Sequence, residues 1–315
     1  MPAARVYSAE EWVARFGERR QRTVVTIGNF DGMHRGHLEI LRRVIREARL
    51  TNSMATVLTL FPHPVRVLRP SVAPALLMTL EQRLASFDDA GIDAVLVLQF
   101  NPALSKLEPA AFCQEYLVDC LRARKVLVGE NFRFGHRQEG DVRTLADLGR
   151  LRDFEVETVQ PVVSDGMVAS STAVREAVRE GRMEEATAIL GHPFTLEGEI
   201  KTGTGQGRKL IVPTLNLKTD QELLPKQGVY VTETTVGGKT YRSATNVGVR
   251  PTFNGASTTI ESHLFDFDES LTSGRMEVRF LKRLREERKF EGPEALRAQV
   301  LLDIEEARKF HASQS

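Results

Sequence analysis

The stretch Val24-Val-Thr-Ile-Gly-Asn-Phe-Asp-Gly-Met-His-Arg-Gly-His37 decides how this chain is read. An apolar β-type run, Val24–Ile27, meets a glycine-punctuated turn, Gly28–His37, which leads into Leu38-Glu-Ile-Leu-Arg-Arg-Val-Ile45 with helical apolar spacing. A strand, a glycine-rich turn and a helix start in succession predict the opening of a parallel α/β sheet. A helix start offers unpaired N–H groups and the positive end of a dipole, so phosphate is its natural guest. His34 and His37 supply imidazoles there, and Gly28, Gly32 and Gly36 let the backbone come close to an anion. Zinc is the weaker reading of His-x-x-His, since no further ligand cluster lies nearby. Helix capping by the histidines is the purely structural alternative.

Outward from this turn, β-type runs at Ala55–Leu60, Ala94–Leu98 and Lys125–Val128 alternate with helix-like segments at Leu38–Leu50, Leu80–Ala90, Pro109–Leu121 and Thr144–Arg152. That alternation predicts a doubly wound, Rossmann-like domain with helices on both faces of the sheet and ligands at the carboxyl ends of its strands. Three loops then share one rim: the histidine turn, Phe61-Pro-His-Pro64, and Gly129-Glu-Asn-Phe-Arg-Phe-Gly135, which carries Asn131 as a polar substrate contact. Phe61 and Phe132 there suit ring packing or stacking rather than chemistry. A hydroxyl-rich helix start, Ala169-Ser-Ser-Thr-Ala-Val-Arg-Glu-Ala-Val178, offers a second anion seat through Ser170, Ser171 and Thr172, with Arg175 one turn in. An ordinary Ser/Thr helix cap is the competing reading.

The 315 residues and a net charge of +1 predict two domains and give no electrostatic reason to expect nucleic acid or membrane as partner. No apolar segment approaches the roughly 18 residues of a membrane span, and the first twenty residues lack a signal-like core, so a cytoplasmic location is expected. Cys113 and Cys120 are expected two turns apart on one helix face, about 10 Å, too far for a disulfide and suited to burial.

After Gly191-His-Pro193 the composition changes, and the expected domains are residues 1–190 and 191–315. A last helix over Met183–Leu190 gives way to threonine-rich alternating runs at Phe194–Lys201, Thr214–Thr219, Val229–Val236, Lys239–Val247, Thr258–Asp266 and Arg275–Leu281. These predict an antiparallel β-barrel, with an amphipathic helix from Pro293 to Phe310 packed on it. Gly237-Gly-Lys-Thr240 imitates the end of a P-loop, but position 233 is Glu where the motif needs glycine, so a hairpin turn is expected instead. More informative is Thr204-Gly-Gln-Gly-Arg-Lys-Leu-Ile-Val-Pro-Thr-Leu-Asn-Leu217, a glycine-rich basic loop entering a strand. Thr214 and Asn216 would share a strand face and offer neutral oxygens suited to Mg²⁺ alongside nucleotide phosphates. Glu261, on one face with His263 and Phe265, could take a hydroxyl proton. Read alone, Thr214 and Asn216 are more often cross-strand polar residues and Glu261 more often a solvated strand residue.

Taken in order, Gly28–His37, Phe61–Pro64, Gly129–Gly135, Ser170–Arg175, Pro213–Asn216, Asn246-Val-Gly-Val-Arg-Pro-Thr-Phe253 and Leu264-Phe-Asp-Phe-Asp268 resemble the bacterial bifunctional riboflavin kinase/FMN adenylyltransferases, the FAD synthetases. The resemblance spans nearly the whole chain. It implies that a HIGH-type nucleotidyltransferase domain binds ATP phosphates through Gly28, Phe30, Asp31, Gly36, Ser170, Ser171, Thr172 and Arg175, with His34 and His37 catalytic. It further implies that the barrel uses Mg²⁺–ATP at Thr214 and Asn216, with Glu261 as general base on the ribityl 5′-hydroxyl. Riboflavin, ATP, FMN and FAD are the partners expected. Where the family reads Leu-Gly-Phe-Pro-Thr-Ala-Asn, this chain has Ile211, Val212 and Leu215, so its loop is expected to close over nucleotide differently. A nucleotidyltransferase with another phosphorylated acceptor uses the same first turn, and a non-catalytic flavin-binding protein is the alternative outside enzymology. The assembly state is not legible.

Overall fold

Runs of β-branched residues with no polar face make Thr23–Ile27 a strand buried along its whole length, which only a sheet covered on both sides provides. The computed structural model describes residues 3–19, 21–164, 166–201, 212–252, 255–269 and 271–314. Residues 204–211, including Ile211, and Phe253 lie outside that set. The chain divides into two units, Met1–Ser170 and Ser171–Ser315.

In the first unit the elements run β1 (Ala4–Val6), α1 (Ala9–Phe16), β2 (Thr23–Ile27), α2 (Arg35–Leu50), β3 (Met54–Phe61), α3 (Pro64–Leu68), α4 (Leu80–Ala90) and β4 (Ala94–Gln99). They continue with α5 (Pro109–Phe112), β5 (Ala123–Gly129), α6 (Val142–Leu151), β6 (Glu155–Val159) and a small hairpin, β7 (Val163–Ser164) and β8 (Met167–Val168). Six strands form one parallel sheet in the order β1-β4-β3-β2-β5-β6. One face packs on Trp12, Phe112, Leu117 and Leu145, the other on Leu41, Val44, Leu84 and Phe87, giving helices on both sides as expected. The sequence reading missed the edge strands β1 and β6. It also expected one α-helix through Leu121, whereas the chain turns to π-helical pitch over Cys113–Cys120. Both cysteines are free and buried there, and burial pushes their thiols up to about 12.

The second unit opens with α7 (Ser171–Glu180) and α8 (Met183–Leu190), then β9 (Phe194–Lys201), β10 (Leu215–Lys218), β11 (Gly228–Val236), β12 (Lys239–Thr252), β13 (Gly255–Leu264), β14 (Arg275–Arg285) and α9 (Pro293–Ser313). The strands close into a barrel in the order β10-β13-β12-β11-β14-β9, every pairing antiparallel. Threonines and serines alternate with apolar residues, so one set of hydroxyls points inward and must find partners there. They find one another: Thr234, Ser243, Thr232, Thr245 and Ser262, all fully buried, are linked in a chain of contacts of 2.7–2.8 Å. Gly237 and Gly238, at φ 57° and 77°, make the tight turn between β11 and β12, as a hairpin reading of Gly-Gly requires.

Candidate active sites

In the parallel sheet β2 is followed by β3 on one side, while β5 and β6 lie on the other, so the strand order reverses between β2 and β5. Ligands of open α/β sheets gather at such a switch point, beyond the carboxyl ends of the strands. The loops leaving β3, β2 and β5, three adjacent strands, are the three loops singled out in the sequence. Asn131 is exposed on the turn just past β5.

The turn after β2 departs from ordinary backbone: Phe30, Gly32 and Met33 have φ of 52°, 90° and 46°. A side chain at position 32 would place its Cβ 2.5 Å from Leu77 Cδ1, so only glycine fits. Asp31 is buried, and its carboxylate accepts the N–H groups of Leu77 (3.0 and 3.2 Å) and Met78 (3.1 Å). The Phe30 ring is buried edge-on against Phe87 at 5.4 Å, and His37 lies 5.1 Å from it. The side chains of Phe30 and Asp31, two residues expected in the phosphate turn, anchor that turn to Phe87 and to the Leu77–Met78 amides. An anchored carboxylate also adds no favourable contact for an anion.

Above that anchor, His34 caps α2, its Nδ1 accepting the His37 backbone N–H at 3.4 Å. The two rings stack at 3.6 Å. Burial lowers His34 to about 4 and, with the nearby His34, holds His37 well below the usual imidazole range, so both are neutral at pH 7. Because Nδ1 accepts, neutral His34 carries its hydrogen on Nε2, ready to donate. His37 Nδ1 is buried without a hydrogen-bond partner among the described residues. Packing is close at Gly36: a Cβ there would stand 3.2 Å from the His34 ring and 3.6 Å from the Ala169 carbonyl. The latter contact brings the chain just before Ser170 alongside the turn. Ser171, Thr172 and the buried Arg175 belong to α7, in the second unit. Gly28 hydrogen-bonds through its N–H to Leu58 O at 3.1 Å, extending the β2–β3 ladder into the turn.

Sequence reasoning missed three residues at this site. Asn29 Nδ2 lies 3.2 Å from His63 Nε2, joining the loops after β2 and β3. Arg83 of α4 donates to Asn29 O at 2.7 Å and is only 2% exposed. The missed signal is its position, since Leu80, Arg83, Leu84 and Phe87 follow the spacing of a buried helix stripe.

On the barrel, register supplies the second site. Asn216 of β10 pairs with Glu261 of β13, which in turn pairs with Asn246 of β12, so the three occupy one row across adjacent strands. Glu261 is half-buried, and Thr214 precedes β10 by one residue. Thr214, Asn246, Glu261 and His263 line a cavity of about 410 Å³, closed on its far side by Leu296, Val300 and Ile304 of α9. Its wall is fixed by a two-pronged ion pair, Arg285 Nε and Nη2 to the buried Asp303 at 2.9 and 2.7 Å. His263 Nδ1 meets Pro213 O at 2.9 Å, tying β13 to the segment that carries Thr214. Asn246, which the sequence offered without a role, stands beside Glu261 in register. Among the described residues no group of three or more His, Cys, Asp or Glu could hold a metal. The donors present, two neutral oxygens near one carboxylate, fit a Mg²⁺ ion held mainly by nucleotide phosphates.

Comparison with known proteins follows the same division. Residues 17–173 match the family described as FAD synthetase, and residues 190–311 the family described as riboflavin kinase. The bifunctional riboflavin kinase/FMN adenylyltransferase of Pseudomonas fluorescens is 38% identical over 291 residues, covering 92% of this chain and 93% of that protein. Its counterpart from Escherichia coli K12 is 35% identical over 288 residues, covering 91% and 92%. A solved structure described as a macrolide-efflux protein from Streptococcus pneumoniae superposes with a TM-score of 0.86 at 26% identity, covering 98% of this chain and 99% of that one. Among the described residues no helix is long and apolar enough to cross a membrane. By both of its matched halves and by its full-length relatives, the chain belongs to the bifunctional riboflavin kinase/FMN adenylyltransferase family.

Proposed function

We propose that the barrel phosphorylates riboflavin to FMN and that the parallel-sheet unit joins FMN to the adenylyl group of ATP, forming FAD. The observation that carries this reading is the presence in one chain of two separately built sites, the stacked neutral histidines after β2 and the Asn216–Glu261–Asn246 row on the barrel.

In the first reaction Glu261 takes the proton of the ribityl 5′-hydroxyl as its oxygen attacks the γ-phosphorus of ATP, and ADP leaves. Thr214 and Asn216 would hold Mg²⁺, which neutralises phosphate charge. In the second, a phosphate oxygen of FMN attacks the α-phosphorus, the bond to the β-phosphate oxygen breaks, and pyrophosphate departs. Such transfers ask a protein mainly for alignment and charge stabilisation. His34 Nε2–H and the imidazole of His37 donate to the phosphates, with the backbone of Gly28 and Gly36 allowing close approach. Hydrogen bonds to charged groups contribute on the order of 1.5–3 kcal/mol each. Ser170 is assigned to the departing phosphates and Asn131 to the substrate. We assign the activities to residues 1–190 and 191–315, and the enzyme to the cytoplasm.

Purified protein given riboflavin, ATP and Mg²⁺ should form FMN and then FAD, read by chromatography of timed samples. His37→Ala should stop FAD formation while FMN accumulates; Glu261→Ala should stop FMN formation while supplied FMN is still converted. Absence of both products from the parent enzyme would reject the reading.

A further inference from the structure

Arg83 is among the largest fully buried side chains of the described residues, and its position is hard to explain by packing alone. Burying a guanidinium is costly unless it is paired and hydrogen-bonded. Here Nη1 donates to Asn29 O at 2.7 Å, while Nε and Nη2 have no hydrogen-bond partner among the described residues. Burial lowers the pKa of Arg83, and the nearby Asp31 carboxylate, which favours the charged form, offsets only part of that. Asp31 is itself held by the amides just before α4. Phe87, one turn beyond Arg83, carries the Phe30 ring.

Residues 29, 30 and 31 are thus each gripped by α4 or the segment leading into it. They are also where the backbone is least at ease, since Phe30 holds a left-handed φ of 52°, which an aromatic residue adopts only when its surroundings impose it. The Phe30 ring in turn supports His37 at 5.1 Å. Thr26 of β2 and Thr59 of β3, on the sheet face that carries α2 and α4, also bury hydroxyls without a partner among the described residues. Unsatisfied buried polar groups in a native fold call for a specific reason, and function is one.

Resting on the adenylyl-transfer reading above, we infer that Arg83 is a positioning residue of that site. Its charge and its hydrogen bond to the Asn29 carbonyl fix Phe30 in its left-handed conformation and thereby set His37 against the α-phosphate. Arg83 itself meets no substrate.

The test compares Arg83→Met, which removes donor and charge, with Arg83→Lys, which keeps both. The full-length protein is used and riboflavin phosphorylation serves as the control. Arg83→Met should lower kcat for FAD formation by about tenfold to a hundredfold, the cost of a misplaced catalytic group. The KM for ATP should change far less and FMN formation should stay at the parent rate. Ring signals of His34 and His37 in proton–carbon NMR should move in Arg83→Met and return in Arg83→Lys, whose kcat should recover most of the loss. If Arg83→Met does not fold, Arg83→Gln takes its place with the same expected loss and the same rescue. A folded variant with lower melting temperature but parental kcat and unmoved histidine signals would overturn the inference, as would equal loss in the Lys variant. A parent enzyme that makes no FAD would instead reject the reading beneath it.

Discussion

At the scale of single residues the first site runs on neutral imidazoles. His34 is 7% exposed and burial lowers it from 6.5 to about 4. Between those values the unfolded chain binds a proton that the folded one refuses, so stability is present above pH 6.5 and drains away as the solution is acidified. From pH 7 to pH 4.5 the loss from this residue should be about 2–3 kcal/mol. Urea unfolding of the parallel-sheet unit at the two pH values measures it. His34→Asn keeps a helix cap and removes the titrating ring, and it should flatten the dependence; an equally steep one would contradict the assignment. Gly32→Ala tests the same turn sterically: with φ at 90° and Leu77 Cδ1 2.5 Å from the new methyl, it should cost about 2 kcal/mol or more. FAD formation should fall with it, measured alongside the urea midpoint. At this scale the sequence disclosed the histidines and the glycines, because their chemistry is written in residue type. It hid Arg83, whose burial is not written in its residue type, and it did not show that the side chains of Phe30 and Asp31 face α4 and the segment before it. Residue type alone does not say which way a loop side chain points.

At the scale of elements, strands and helices were legible where period and length agreed. Phe194–Lys201, Leu80–Ala90 and Met183–Leu190 fall where pattern reading puts them. β1 has only three residues, and β6, Glu155-Val-Glu-Thr-Val159, has one fully buried position, so neither carries enough apolar signal to stand out. The π-helical stretch over Cys113–Cys120 escaped because its apolar residues also satisfy an α-helical spacing. Barrel closure depends on a contact the sequence does not advertise. β9 and β10 cross so tightly at Gly198 that a Cβ there would stand 1.9 Å from the Lys218 carbonyl oxygen. Backbone cannot move aside as a flexible side chain can, so Gly198→Ala should destabilise the barrel by about 3 kcal/mol or more. The expected readout is loss of riboflavin phosphorylation and an earlier urea transition, with conversion of supplied FMN retained. A variant phosphorylating riboflavin at the parent rate with an unmoved transition would show that the strands can separate at that point.

At the scale of the whole molecule, two units each close around their own apolar interior, and each carries one candidate site: buried hydroxyls and α9 in the barrel, two helix-covered faces in the sheet. The change of composition at Gly191–Pro193 is where the sequence suggests a boundary. Contact, however, groups α7 and α8 with the barrel, because α8 packs on β9 and β14. Amphipathic helices read alike whichever sheet they cover, so the pattern of residues could not assign them. Two complete sites carry a consequence for the intermediate. If each site binds and releases its own substrate, FMN made on one chain is free to be used by another. Mixing His37→Ala, which still makes FMN, with Glu261→Ala, which still consumes it, should restore FAD formation from riboflavin. The mixture should show a lag that shortens as enzyme concentration rises, because FMN must first build up in solution. Neither variant alone should form FAD from riboflavin. Both proteins must pass the same check beforehand: a single cooperative melting curve and the retained half-reaction at parental rate. With those controls met, a mixture that accumulates FMN yet never yields FAD would mean that FMN is passed on only within the chain that made it.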